Sequence, residues 1–208
     1  MKRSLTTICL LVGSLVSCET PQALYEEARV LYEKKDYTAA LPLLKQCAED
    51  GHAEAQLMLG RCYDFGYVQK DLPEAVRWYK AAADADNVEA QNNLAACYFS
   101  GAGVPVDMTA AAYWYGRAAE QGSPSAYNNL GLHYLNGQGV TKDDEQAAEC
   151  FAMAAKLNDA NGQYNLGKCY YFGIGVPEDL NMAKSWISKA AEQGHRNAAL
   201  FKRDNDWK

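Results

Sequence analysis

One phrase recurs along this chain. Ala55-Gln56-Leu57-Met58-Leu59-Gly60 returns as Ala90-Gln91-Asn92-Asn93-Leu94-Ala95, as Ala126-Tyr127-Asn128-Asn129-Leu130-Gly131 and as Gly162-Gln163-Tyr164-Asn165-Leu166-Gly167, the starts 35, 36 and 36 residues apart. A partial copy opens at Ala198, again 36 residues on. Units of this length cannot bury an apolar face alone, so a chain built from them must stack neighbours into a continuous core. In each unit Tyr fills the ninth position (Tyr63, Tyr98, Tyr134, Tyr170), a Gly-rich turn follows, and then comes Asp71, Asp107, Asp143 or Asp179. Ala stands four residues beyond each Asp, and Trp78, Trp114, Cys150 or Trp186 seven beyond.

The spacing predicts a helical hairpin per unit. Positions one, five, eight, nine and twelve carry Ala, Leu, Cys or His, Tyr and Gly, one face at helical period. Thirty-three Ala against 13 Val plus Ile supports helices over strands. The Gly-x-Gly-Val turn breaks the first helix, and the Asp is placed to cap the second, with Glu74 and Gln146 extending two caps toward capping boxes. Gly60, Gly131 and Gly167 recur inside the first helix at about 1 kcal/mol each against Ala, which predicts close approach of the partner helix.

Residues 23–54 lack the Gly turn but keep a related rhythm at Ala28, Leu31, Tyr37, Ala40, Leu44 and Cys47, like a tetratricopeptide unit. Four longer hairpins follow at 55–89, 90–125, 126–161 and 162–197, then a capping helix and tail at 198–208. The pattern Ala-x-x-x-Leu-Gly-x-x-Tyr, Gly-x-Gly-Val-Pro-x-Asp, Ala-x-x-Trp and Ala-Ala-x-x-Gly resembles the Sel-one-like repeat family of tetratricopeptide-like proteins, closely over 55–197. Phe65-Gly66-Tyr67, one turn residue short, and Cys150 in place of Trp depart from it. The resemblance implies an all-α, right-handed α-solenoid of antiparallel helix pairs that binds proteins.

Residues 1–17 read as an export signal: Lys2 and Arg3, then an apolar run from Ile8 to Val16 too short to span a bilayer. Leu15-Val16-Ser17-Cys18 matches the lipobox of bacterial lipoproteins, which makes Cys18 the expected lipidation site and 18–22 a short tether. Glu19 in place of Asp favours the outer membrane, so the expected location is the cell envelope, the protein anchored by lipid and facing the periplasm. Net charge is −6, and −8 once Lys2 and Arg3 are removed, which argues against nucleic-acid binding.

The residues do not converge on chemistry. The Gly pairs lack the third Gly and preceding strand of a dinucleotide loop. Cys62, Cys97, Cys169 and His133 share position eight, but successive layers sit about 10 Å apart, too far for one metal or a disulfide. The thiols are expected to pack as small hydrophobes, and neither a metal nor a cofactor is expected. Asn93, Asn129 and Asn165 are read as bonding neighbouring turns. The chain lacks the disulfide spacing of the family's cysteine-rich relatives, some linked to β-lactam binding, and has no Ser-x-x-Lys motif, so an enzyme is not expected.

Variation between repeats marks a stripe at positions three, seven, ten and eleven of the first helix, which lines the concave groove in tetratricopeptide-like solenoids. The candidate partner-binding residues there are Leu57, Arg61, Asp64, Asn92, Phe99, Asn128, Leu132, Leu135, Tyr164, Lys168 and Tyr171. Apolar clusters on a surface, with aromatic and Arg anchors, suit a protein or peptide ligand. The expected function is a non-catalytic, membrane-anchored adaptor. The alternatives are a periplasmic immunity protein against a secreted toxin such as a phospholipase effector, and a β-lactam or cell-wall hydrolase.

Overall fold

The computed structural model describes residues 20–207. The expected signal sequence and Cys18 lie outside them. Eleven helices are present among the described residues: α1 (Pro21–Glu33), α2 (Tyr37–Glu49), α3 (Ala53–Asp64), α4 (Leu72–Asp84), α5 (Val88–Ser100), α6 (Met108–Glu120), α7 (Pro124–Asn136), α8 (Asp144–Lys156), α9 (Ala160–Phe172), α10 (Leu180–Glu192) and α11 (Arg196–Asp204). They pack as five successive hairpins with α11 against α10. Helix α1 starts at Pro21 under a Thr20 cap, so part of the stretch read as a tether is helical. None of these helices is long and apolar enough to cross a membrane.

Each long turn is set by a short sequence. Gly101, Gly137 and Gly173 end α5, α7 and α9 in the left-handed region at φ of 76°, 66° and 65°. Asp71, Asp107, Asp143 and Asp179 then cap α4, α6, α8 and α10, each accepting the amide N–H three residues on at 2.9–3.1 Å. The capping boxes expected at Glu74 and Gln146 do not form. The backbone N–H that a capping-box side chain would accept is already used: Asp71 donates to the Tyr63 carbonyl and Asp143 to that of Tyr134, both at 3.0 Å. Glu74 instead accepts from Arg77 and from the Trp78 indole at 2.9 Å, and Gln146 donates to Glu149.

The glycines within the first helices seat rings. A Cβ on Gly60 or Gly131 would lie 2.6 or 2.7 Å from the Tyr79 or Phe151 ring, and on Gly167 2.5 Å from Ile187. The second turn glycine works between hairpins: a Cβ on Gly103, Gly139 or Gly175 would strike the backbone at Leu72, Met108 or Asp144, the opening residue of the preceding hairpin's second helix. A further clamp lies at position two. Buried Gln56, Gln91 and Gln163 donate to the carbonyls of Ala48, Ala83 and Ala155 at the end of the preceding hairpin, at 3.0, 3.3 and 3.5 Å. Gln121 and Gln193 donate to the Gln91 and Gln163 oxygens. Ala85 stands at the equivalent place in the first long repeat, and the Gln56 oxygen has no protein partner.

Where helices of neighbouring hairpins meet beyond the chain-adjacent pairs, they are first helices, α7 with α9 and α1 with α3, and second helices make no comparable contact. First helices therefore line the inside of the curve.

Two substitutions to the same residue are expected to act in opposite directions. Gly116, inside α6, has open space where a Cβ would go, so Gly116→Ala should stabilise by about 1 kcal/mol. Gly139→Ala combines positive φ with a backbone collision and should destabilise by about 2–4 kcal/mol. Urea unfolding of both variants checks the pair.

Candidate functional site

The inner face is less free than its sequence suggests, because most of the candidate stripe is engaged within the protein. Leu57 is 2% exposed and belongs to the central core, so it cannot offer a side chain to a partner. Asn128 is also buried, and its oxygen accepts from Asn165 of the next hairpin at 2.8 Å. Both correct the groove assignment for the same reason. Curvature brings first helices together, and position three falls in their seam. Asn92, at that position too, donates to Ser123, the cap of α7, at 2.7 Å. Arg61 pairs with Glu89 of the following hairpin, and Asp64 accepts the Tyr79 hydroxyl at 3.1 Å.

At the C-terminal end, Tyr164 stacks on His195 at 4.7 Å, with Lys168 above the ring. The Tyr171 hydroxyl donates to Asn205 at 2.9 Å, and its ring meets Phe201 and Trp207 edge-on. These aromatics anchor the terminal helix. Leu135 is half-buried against the core shared by α8 and α9.

Phe99 remains open, while Leu132, like Leu135, is half-buried against the core of α8 and α9. Phe99 is 43% exposed although it lies in a helix of small, well-buried residues. With Tyr115, Asn129, His133 and Asn136, Phe99 and Leu132 line a cavity of about 290 Å³ between the second and third long repeats. It exists because this seam departs from its neighbours. Asp64 occupies the position of Phe99 one repeat earlier and takes the Tyr79 hydroxyl. Phe99 cannot do so for Tyr115, whose phenol is pushed up to about 12 by burial, against a smaller opposing effect from a hydrogen bond with Asn129.

His133 fills the position held elsewhere by Cys. It is 2% exposed, its Nδ1 lies 2.6 Å from the Gln138 carbonyl, and Phe99 and Tyr115 stand 5.7 and 5.6 Å from its ring. Because a carbonyl only accepts, Nδ1 carries the proton and Nε2 presents a lone pair. Nε2 is buried with no protein partner. The other two histidines use the opposite arrangement: Nδ1 of His52 and of His195 accepts the Ala55 and Ala198 amide N–H as a helix cap. The sequence showed His133 among the cysteines, but its meaning depends on Phe99 and Tyr115 reaching it from two other helices.

Cys47, Cys62, Cys97, Cys150 and Cys169 are reduced and buried. Burial pushes the thiols of Cys62, Cys97, Cys150 and Cys169 up to about 11. Such thiols are poor nucleophiles at neutral pH. Among the described residues no three His, Cys, Asp or Glu side chains converge as a metal site.

With this geometry in view, comparison identifies the class. The Sel1 repeat model matches residues 53–87, 88–123, 124–159 and 160–195, and the chain belongs to the Sel1 repeat family. Among solved structures it resembles c5321, a protective antigen of uropathogenic Escherichia coli with an SLR fold, at 35% identity and a TM-score of 0.81. The match covers 86% of this chain but only 39% of c5321. A Sel1 repeat protein of Oxalobacter formigenes matches at 31% identity and a TM-score of 0.80, over 89% of this chain and 76% of that one. Immunity protein Pa5087 of Pseudomonas aeruginosa matches at 26% identity and a TM-score of 0.54, over 86% and 68%. Curated proteins give no match.

The thiols fix a pH dependence. Their proton is held more tightly folded than at the ordinary value of 9.0, so this contribution is complete below pH 9 and is lost as pH rises toward about 11. The urea midpoint should hold from pH 7 to 8.5 and fall progressively above 9.

Proposed function

We propose that the protein is a lipid-anchored adaptor of the bacterial cell envelope, attached through Cys18 and holding a protein segment against its inner face without catalysis. The observation that carries this reading is the contrast along the stripe: polar positions are bonded between hairpins, while Phe99 stays open beside a cavity that half-buried Leu132 also lines. An exposed aromatic next to a concave pocket is the usual form of an interface anchor. Helix α1 begins at Pro21, so only Glu19 and Thr20 separate Cys18 from the array. Two residues reach about 7 Å, which would hold the first hairpin close to the bilayer.

The likeness to immunity protein Pa5087 supports a narrower version, in which the bound segment belongs to a toxin delivered to the periplasm. Protection of cells expressing the chain against a toxin encoded beside it distinguishes that version from a general adaptor.

Two comparisons test the adaptor. Cys18→Ala should move the protein from the membrane to the soluble fraction. Phe99→Ala should reduce partner recovery in crosslinking at least tenfold while shifting the thermal midpoint by no more than about 2 °C. Tyr171→Ala should do the reverse, lowering the midpoint by releasing α11 and leaving recovery nearly intact.

A further inference from the structure

The cavity at the second seam has a definite chemistry. Its volume of about 290 Å³ lies just below the range for small-molecule sites and suits one large side chain. No charged side chain lines it, so neither a phosphate, a carboxylate nor a cation would be compensated there. Two walls are aromatic, Phe99 and Tyr115, and Leu132 adds a third apolar surface. The buried acceptor among them is His133 Nε2, fixed as a lone pair by the Nδ1–H bond to Gln138. Leaving such an atom without a donor is unfavourable, and a donor brought by a ligand would relieve it.

We infer that this pocket receives the indole of a tryptophan on the bound protein segment, with the indole N–H donated to His133 Nε2. The inference rests on the adaptor reading for the source of the tryptophan, but the pocket chemistry stands without it. Indole has one polar atom, and that atom is a donor, which matches a cavity whose buried nitrogen only accepts. A phenol also brings acceptor lone pairs, which need a donor from the Asn129, Asn136 or Gln138 amides as well as Nε2, and a phenyl ring would leave Nε2 as it is. The Phe99 ring lies edge-on to the imidazole and is 43% exposed, so it is the wall that moves aside as the indole enters. Displaced, its face is available for stacking on the indole.

The protein has three histidines, and the other two are of the opposite tautomer. Long-range proton–nitrogen NMR of the detergent-solubilised full chain, labelled at histidine, therefore resolves His133 from His52 and His195. Added indole should shift Nε2 of His133 alone, at millimolar concentration. Benzofuran, in which an oxygen takes the place of the N–H at nearly the same shape, lacks the donor and should bind at least tenfold more weakly. A blocked Ala-Trp-Ala peptide should bind at least as well as indole. His133→Cys restores the residue found at this position in the other three long repeats and should reduce indole binding at least tenfold.

Equal binding of indole and benzofuran would overturn the assignment, as would full affinity in His133→Cys. The ligand pair uses the unmodified protein, so the test stands even if that variant fails to fold. Indole binding with the peptide excluded would overturn the polypeptide source. Partner capture that depends on Phe99 but is indifferent to His133→Cys would overturn the pocket and leave the adaptor. Indole binding at His133 without any partner on the inner face would do the opposite.

Discussion

The array depends on a contact in which a side chain is not tolerated. The second glycine of each long turn lies against the backbone that opens the preceding hairpin's second helix, at Leu72, Met108 and Asp144. This sets how closely successive layers meet at the turn end. At the opposite end the position-two glutamines bind the last carbonyls of the hairpin before. Both contacts are present at the α4–α5 and α8–α9 junctions and one of the two at α2–α3 and α6–α7, and the Ala-rich faces between layers are buried at short range because little protrudes. The apolar burial that supplies most of the stability follows from that spacing.

Much of this was legible because it is local. Asp107 lies six residues after Gly101, and a cap needs only the amide three residues on. The internal glycines announced a close approach, although the sequence did not say that a ring from the same hairpin would fill the space. The stripe was harder to read for a physical reason. Asn92 and Ser123 are 31 residues apart, Asn128 and Asn165 37. Helical period places position three off the core face in every repeat, and only curvature turns it into a seam. Leu57 and Asn128 were therefore expected to be open and are buried. The capping boxes failed for a related reason, since the Asp N–H was already used by a tyrosine carbonyl eight or nine residues back.

The residues that escape the repeat's own bonding are the informative ones. Arg61, Asp64, Asn92 and Asn128 each find a partner in the same or the next hairpin. Phe99 and His133 instead replace side chains that other repeats use for bonding or for tight packing. Their coincidence at one seam gives an otherwise uniform scaffold a distinct address.

That seam lacks something else. Tyr127 stands where the other three long repeats place their clamping glutamine, so α6 and α7 are joined without the carbonyl bond made at the other hairpin junctions. This junction has one edge restraint where α4–α5 and α8–α9 have two, so it resists a bending load at its turn end alone. The cavity lies across that joint, with walls on α5, α6 and α7. An occupant there would brace the second long repeat against the third at the edge where the glutamine bond is missing.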